Sequence, residues 1–393
     1  MSVLFTKSLS LFTRSTVKTG QDIISGKLKL ELSRRTFASK VFEKGKSIFK
    51  LGLAGVVVGG VMGTGYTIYL RNEPRSHIMN EQTGIPLIEK IPDIKPSREI
   101  RFPNDSSNLK LTLFQYQTCP FCCKVRAFLD YHGISYDVVE VDPVLRQSIK
   151  WSPYKKVPIL VVKTPTGQYQ PLNDSSMIIS ALSTYIKDAE KEIVDIVNCY
   201  PFIEYVDESG SRKNDIMNKY FLMLSEQHIT DTSMEELNEE RKWRKWVDDV
   251  LVHTLSPNVY RTKEEAFQAF NWFSEVGEWE KNFPEWERQL IIYVGAYAML
   301  MIGKKLKKKY QLKDDVRTSL YDECNFWVRI IQKKGGKFMG GAKPNLADLA
   351  VFGVLNSIEG CLAFEDLLKN SKIKVWFELM KTEVDKNKMI AAV

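Results

Sequence analysis

Leu111-Thr112-Leu113-Phe114-Gln115-Tyr116-Gln117-Thr118-Cys119-Pro120-Phe121-Cys122 is the stretch on which the fold turns. Its first six residues form a short apolar run of strand type. The run enters a C-x-x-C spacing, after which Val125, Phe128 and Leu129 recur at helical intervals. Gly133 then stands where glycine is favoured, just past a helix end. The segment therefore reads as a strand, a thiol and a helix in succession.

That junction has a chemical use. Cys119 lies just before the helix, where unpaired backbone N–H groups and the helix dipole favour an anion. Such a position lowers a thiol pKa from about 8.5 toward neutrality and yields a thiolate nucleophile. Pro120 supplies the fixed φ suited to a first helical residue. Cys122, one turn in, can resolve a mixed disulfide on Cys119, and Tyr116 can hydrogen-bond a bound thiolate or oxygen. No second Cys/His pair stands at ligand spacing, so a zinc site is not expected and no metal ligand is assigned. Cys123 reads as a small core residue, and Cys199, Cys324 and Cys361 read as isolated buried thiols.

Outward from the thiol, Tyr136 to Val141 alternates as a second strand, and Pro143 to Ile149 suits a short helix. Ile159 to Val162 is a buried strand, and Tyr169 to Leu172 is its hairpin partner. Asn173-Asp174-Ser175-Ser176 opens a helix running to about Ile186. The order β-α-β-α-β-β-α fills residues 109–187, and residues 188–233 form a connecting segment. Residues 234–393 are helical in pattern, with helices expected at 234–253, 262–273, 285–309, 316–333, 346–356 and 375–384. Asn345 and Asp348 are spaced as a capping box. The expected fold class is thus α/β followed by all-α.

The 393 residues carry a net charge of +8, all of it in residues 1–50, which hold eleven Lys/Arg against three Asp/Glu. The remainder is neutral, with 45 residues of each sign, and lacks the basic footprint of a nucleic-acid binder. The basic, Ser/Thr-rich start has the composition of a mitochondrial targeting segment, and Arg34 to Ser39 resembles a processing site. Residues 51–70 are uncharged, and 20 helical residues span about 30 Å of hydrocarbon. A single transmembrane helix is expected there, with Gly55, Gly59 and Gly63 on one face. Residues 71–108 carry five of the 15 prolines and read as a tether with an added edge strand near Ile85–Leu87.

C-P-F-C at 119–122, Val157-Pro158 and Asp174-Ser175 resemble glutaredoxin and the N-terminal domain of glutathione transferases. The resemblance implies a thioredoxin-like domain followed by a transferase-like helical domain. It also implies a cis Pro158, a Val157 main chain that pairs with glutathione, and an Asp174-Ser175 turn that holds its γ-glutamyl end. The stretches at 243–262 and 337–350, with Leu172 to Ser176, resemble the type 2 family of membrane-associated prostaglandin E synthases. That family implies isomerisation of the lipid endoperoxide prostaglandin H2 by Cys119, with Tyr116, Phe121 and Cys122 beside it, glutathione or another thiol as reductant, and a homodimer. It further implies a haem-bound form facing His253 and Ser256, with arginines where Lys305 now stands. Read from the residues alone, His253 is a core histidine capping its helix end, and Trp243 and Trp246 are packing or dimer contacts. Two other functions use the same residues: a glutathione-dependent thiol-disulfide oxidoreductase, and a non-enzymatic glutathione or haem carrier. The expected location is a mitochondrial membrane, or alternatively the Golgi membrane with a released soluble form.

Overall fold

The computed structural model describes residues 85–391 except Pro92, Ala189, 207–209, 211 and 227–232. The targeting segment and the transmembrane helix expected at 51–70 lie outside the described residues. A five-stranded mixed sheet forms the first part: β1 (Arg98–Ile100), β2 (Lys110–Gln115), β3 (Tyr136–Glu140), β4 (Ile159–Lys163) and β5 (Tyr169–Asn173), in the order β1-β3-β2-β4-β5. β2 and β3 run parallel, joined across the helix α1 (Pro120–His132), and β2, β4 and β5 pair antiparallel. Leu113 pairs with Leu160 and Phe114 with Ile159, which sets two apolar strands side by side in the buried centre of the sheet. The expected short helix is a single 3₁₀ turn, Gln147–Ile149. α2 (Ser175–Lys187) follows β5.

β1 lies inside the stretch read as tether. Three residues are too few for an alternation to register; β1 pairs antiparallel with β3, and side chains add to the hold. Arg98 donates to Gln117 Oε1 at 2.6 Å and to Glu140 Oε2 at 3.2 Å. The edge strand expected at Ile85–Leu87 is one bridge at Ile88, paired both ways with Tyr169 at 2.8 Å. The connecting segment contains α3 (Ile193–Asn198) and a separate hairpin, β6 (Phe202–Val206) with β7 (Arg212–Ile216).

The helical part comprises α4 (Met234–Trp246), a π turn at Val247–Leu251, α5 (Val252–Val259), α6 (Lys263–Val276), α7 (Trp279–Asn282), α8 (Glu285–Lys309), α9 (Val316–Lys334), α10 (Leu346–Asn356), α11 (Leu362–Asn370) and α12 (Ile373–Ala391). His253 is not at a helix end, as its local sequence suggested. The helix resumes after the π turn and carries Pro257 inside it, and the carbonyl left without a helical donor is that of His253, four residues earlier. α8 is long and apolar enough to cross a membrane, but half of that window is buried, as in the core helix of a folded domain. Trp243 and Trp246 pack with Trp327, the second stacked at 5.9 Å, so these rings build the core.

α10 is the centre of the helical part and packs against α1. Asn345 accepts from the Ala347 and Asp348 N–H groups, and Asp348 accepts from Asn345 N at 3.1 Å. Asp348 also accepts from Met339 N and Gly340 N, so a fully buried carboxylate ties the preceding loop to the helix start. Its role is structural, as the sequence suggested.

Candidate active site

α1 begins where the sequence places it. Cys119 is extended (φ −74°, ψ 124°), Pro120 is the first helical residue, and Cys123 N donates to the Cys119 carbonyl at 2.9 Å. The Phe121 and Cys122 N–H groups face the Cys119 sulfur without closing a formal capping hydrogen bond. The Cys122 thiol donates to that sulfur, and this bond with the two N–H groups outweighs burial and brings the Cys119 pKa down to about 6. Cys122 is driven the other way, well up, by burial and by the adjacent Cys119. At neutral pH the pair is therefore a Cys119 thiolate with a protonated Cys122 as its donor. Burial likewise pushes Cys123 up to about 11.

Cys119 is only 3% exposed, and a ligand meets it from a cleft of about 370 Å3. Phe121, Val157, Pro158, Asp174, Ser175, His253 and Ser256 line the same cleft. Eight of the ten residues singled out in the sequence thus come together. The Val157–Pro158 peptide is cis. Asp174 caps α2, its carboxylate accepting from Ser176 N at 2.8 Å and Met177 N at 3.4 Å, with Lys219 at 3.8 Å. Asp174 takes a φ of +69°, a conformation few non-glycine residues adopt.

Cys122 and Tyr116 are not on the cleft. Cys122 is fully buried beneath Cys119. The Tyr116 hydroxyl is buried without a hydrogen-bond partner, so it bonds neither sulfur. It borders a second cavity of about 60 Å3, which shares Thr118, Phe273 and Met299 with the main cleft.

The far wall of the cleft is apolar: Val252, Leu255, Val259, Phe273, Met299 and Ile358 come from three separate helices, α5, α6 and α8, and the turn after α10. These residues, with Tyr154, Lys156 and Tyr310, were not found from the sequence. Tyr154 and Lys156 stand just before Val157-Pro158, a proximity that could have pointed to them. The apolar wall leaves no local trace, because its residues look like any core position.

His253 and Ser256, the residues that the resemblance sets toward a haem, both line the cleft. The His253 ring is stacked on Tyr310 at 3.9 Å with an interplanar angle of 10°, and burial lowers its pKa. Of the basic run 304–309, only Leu306 lines the cleft; Lys305 is exposed elsewhere and offers nothing to a carboxylate there. Cys199 is exposed, not buried as read, because it follows the last turn of the short α3.

A mixed sheet with a cysteine at a helix start, a cis-proline and an acid–serine turn on one cleft, backed by helices, defines a fold of the glutathione transferase type. Residues 111–164 match the Glutaredoxin family. Prostaglandin E synthase 2 of Mus musculus is 43% identical over 337 residues, covering 85% of this chain and 82% of that protein. Prostaglandin E synthase 2 of Danio rerio is 49% identical over 280 residues, 70% of this chain and 71% of that protein. The chain belongs to the prostaglandin E synthase 2 family, and it is an isomerase. Among solved structures, glutathione transferase F7 from Populus trichocarpa is matched with a TM-score of 0.40 and 14% identity over 71% of this chain and 98% of that one, which adds no argument to the sequence match.

Proposed function

We propose that the protein converts prostaglandin H2 to prostaglandin E2 with the Cys119 thiolate as nucleophile. The observation that carries this reading is a single sulfur, acidified to about pH 6, placed on a cleft whose opposite wall is apolar. The thiolate attacks the endoperoxide oxygen on C9; an S–O bond forms, the O–O bond breaks, and the C11 oxygen leaves as an alkoxide that takes a proton. Loss of the C9 proton then makes the ketone and returns the electron pair of the S–O bond to sulfur as thiolate. One proton leaves C9 and one joins the C11 oxygen, so no external oxidant or reductant is consumed. The apolar wall from α5, α6 and α8 binds the lipid chains and excludes water.

Glutathione, when bound, supplies a reducing thiol that keeps Cys119 and Cys122 as thiols. Val157 would meet its cysteinyl main chain, and Asp174 and Ser175 its γ-glutamyl end, all beside Cys119. The same reading places the enzyme on a membrane through residues 51–70, in the mitochondrion or alternatively the Golgi, as a homodimer.

Cys122 separates isomerisation from dithiol exchange. Serine at 122 still donates to the Cys119 sulfur but cannot form a disulfide. Cys122→Ser is expected to keep prostaglandin E2 formation within about threefold and to abolish reduction of dithiol substrates. Equal loss of both activities would favour the oxidoreductase. The decisive assay is product formation from prostaglandin H2 by the unsubstituted protein, above the spontaneous rate.

A further inference from the structure

A buried polar cluster stands behind the cleft and takes no part in the chemistry above. Its centre is Asp248, in the π turn between α4 and α5. The Asp248 carboxylate accepts from Lys124 Nζ at 2.5 Å, Ser176 Oγ at 2.6 Å and the Tyr220 hydroxyl at 3.0 Å. Lys124 Nζ also donates to Ser176 Oγ at 3.1 Å. Arg244, itself buried, donates to the Ser176 carbonyl at 2.9 Å and to Ser180 Oγ at 2.8 Å.

The placement of these partners matters more than their number. Lys124 lies on α1, two residues beyond Cys122, and is 1% exposed. Its ammonium sits 5.7 Å from the ring centroid of Phe121, which lines the cleft. Ser176 lies in the first turn of α2, and its N–H is the nearer of the two that Asp174 caps. One carboxylate therefore ties together the two helix starts that carry the thiol and the acid–serine turn. Burying such a pair is costly, and apolar residues of similar size would hold the helices together at least as well. A charged, directional contact fixes relative placement, which apolar packing does less strictly. The π turn permits this: it aims Asp248 at α1 and α2, while His253 and Ser256 on the same helical rod face the cleft.

We propose that Asp248 is a positioning residue that, through Lys124 and Ser176, aligns Cys119 on α1 with the Asp174-Ser175 turn on α2 for a ligand of the glutathione class. The inference rests on the reading that glutathione lies in this cleft beside Cys119.

The test compares two reactions of Cys119 in the full chain, each followed by mass spectrometry. In one, the thiolate attacks glutathione disulfide, forms the Cys119–glutathione disulfide and releases one glutathione thiolate. In the other, iodoacetamide alkylates the same sulfur without needing the Asp174-Ser175 turn. Asp248→Asn is expected to slow the first by about tenfold or more and to leave the second within about twofold, with a cooperative melt. Equal slowing of both would make Asp248 a support of the fold only, and no change in either would also overturn the proposal. Should Asp248→Asn not fold, Tyr220→Phe removes one of the three hydrogen bonds and leaves no buried charge unpaired. It is expected to slow the disulfide reaction alone, and the absence of that difference would sink the idea. An unsubstituted protein that alkylates readily but never forms the mixed disulfide would instead remove the glutathione reading, and the proposal with it.

Discussion

Cys119→Ser is expected to lower the rate of prostaglandin E2 formation by about a thousandfold, to the spontaneous background. A serine hydroxyl is not ionised near neutral pH, so the attack on the O–O bond loses its nucleophile. The substitution is mild for the fold. Cys119 is the N-cap residue of α1, and serine is among the best residues at that position. Its Oγ can accept from the same N–H groups that face the sulfur. Thermal stability should therefore hold or rise by about 0.5 kcal/mol while activity disappears. Chromatographic measurement of product, corrected for spontaneous breakdown, together with a melting curve, separates these two effects. Activity retained above a tenth of the original would exclude the thiolate mechanism.

Gly353→Ala is expected to produce the largest loss of stability from a single methyl group. Gly353 lies in α10, where a Cβ would come within 2.5 Å of Lys124 Cα and 2.7 Å of its amide nitrogen. Both are backbone atoms of α1 and cannot move alone. In a free helix alanine would gain about 1 kcal/mol over glycine. Forcing two packed helices apart costs about 1–3 kcal/mol and at times more, and here the obstacle is backbone, which favours the upper end. The net expectation is a loss of about 2 kcal/mol, seen as a lower midpoint in denaturant at unchanged slope. Because α1 carries Cys119, whatever structure survives has a displaced thiol, so activity should fall in the folded protein as well. An unchanged midpoint would mean that α10 and α1 do not approach as described.

The thiol, the strand order around it and most helices were legible in the sequence because each rests on local signals. Pro120 after Cys119 marks a helix start, Gly133 marks its end, and Asn345 with Asp348 marks another start. What escaped were features set by distant partners. β1 is set by its pairing with β3 and by Arg98 reaching Gln117 and Glu140, and no three-residue window announces that. The continuation of the helix past His253 was hidden by Pro257 and by a π turn, neither of which shows as a break in periodicity. In the site, the motif residues converge as the resemblance implied, but Tyr116 points its hydroxyl into a separate small cavity. The direction of a side chain leaving a strand end depends on what packs against it. The apolar wall is the least legible part, since Val252, Leu255 and Met299 differ from core residues only in what they face. The stacking of the His253 ring on Tyr310 was likewise hidden, because it joins α5 to the residue that follows α8.

The most direct measurement is the pH dependence of Cys119 alkylation by iodoacetamide, with the modified peptide identified by mass. A thiol whose pKa is lowered is already ionised well below the ordinary thiol range, so its rate should rise through about pH 6 and be flat above pH 7.5, before Cys122 and Cys123 react at all. A rate that keeps climbing through about pH 8.5, as for a free cysteine, or a sulfur that no reagent reaches, would contradict the account.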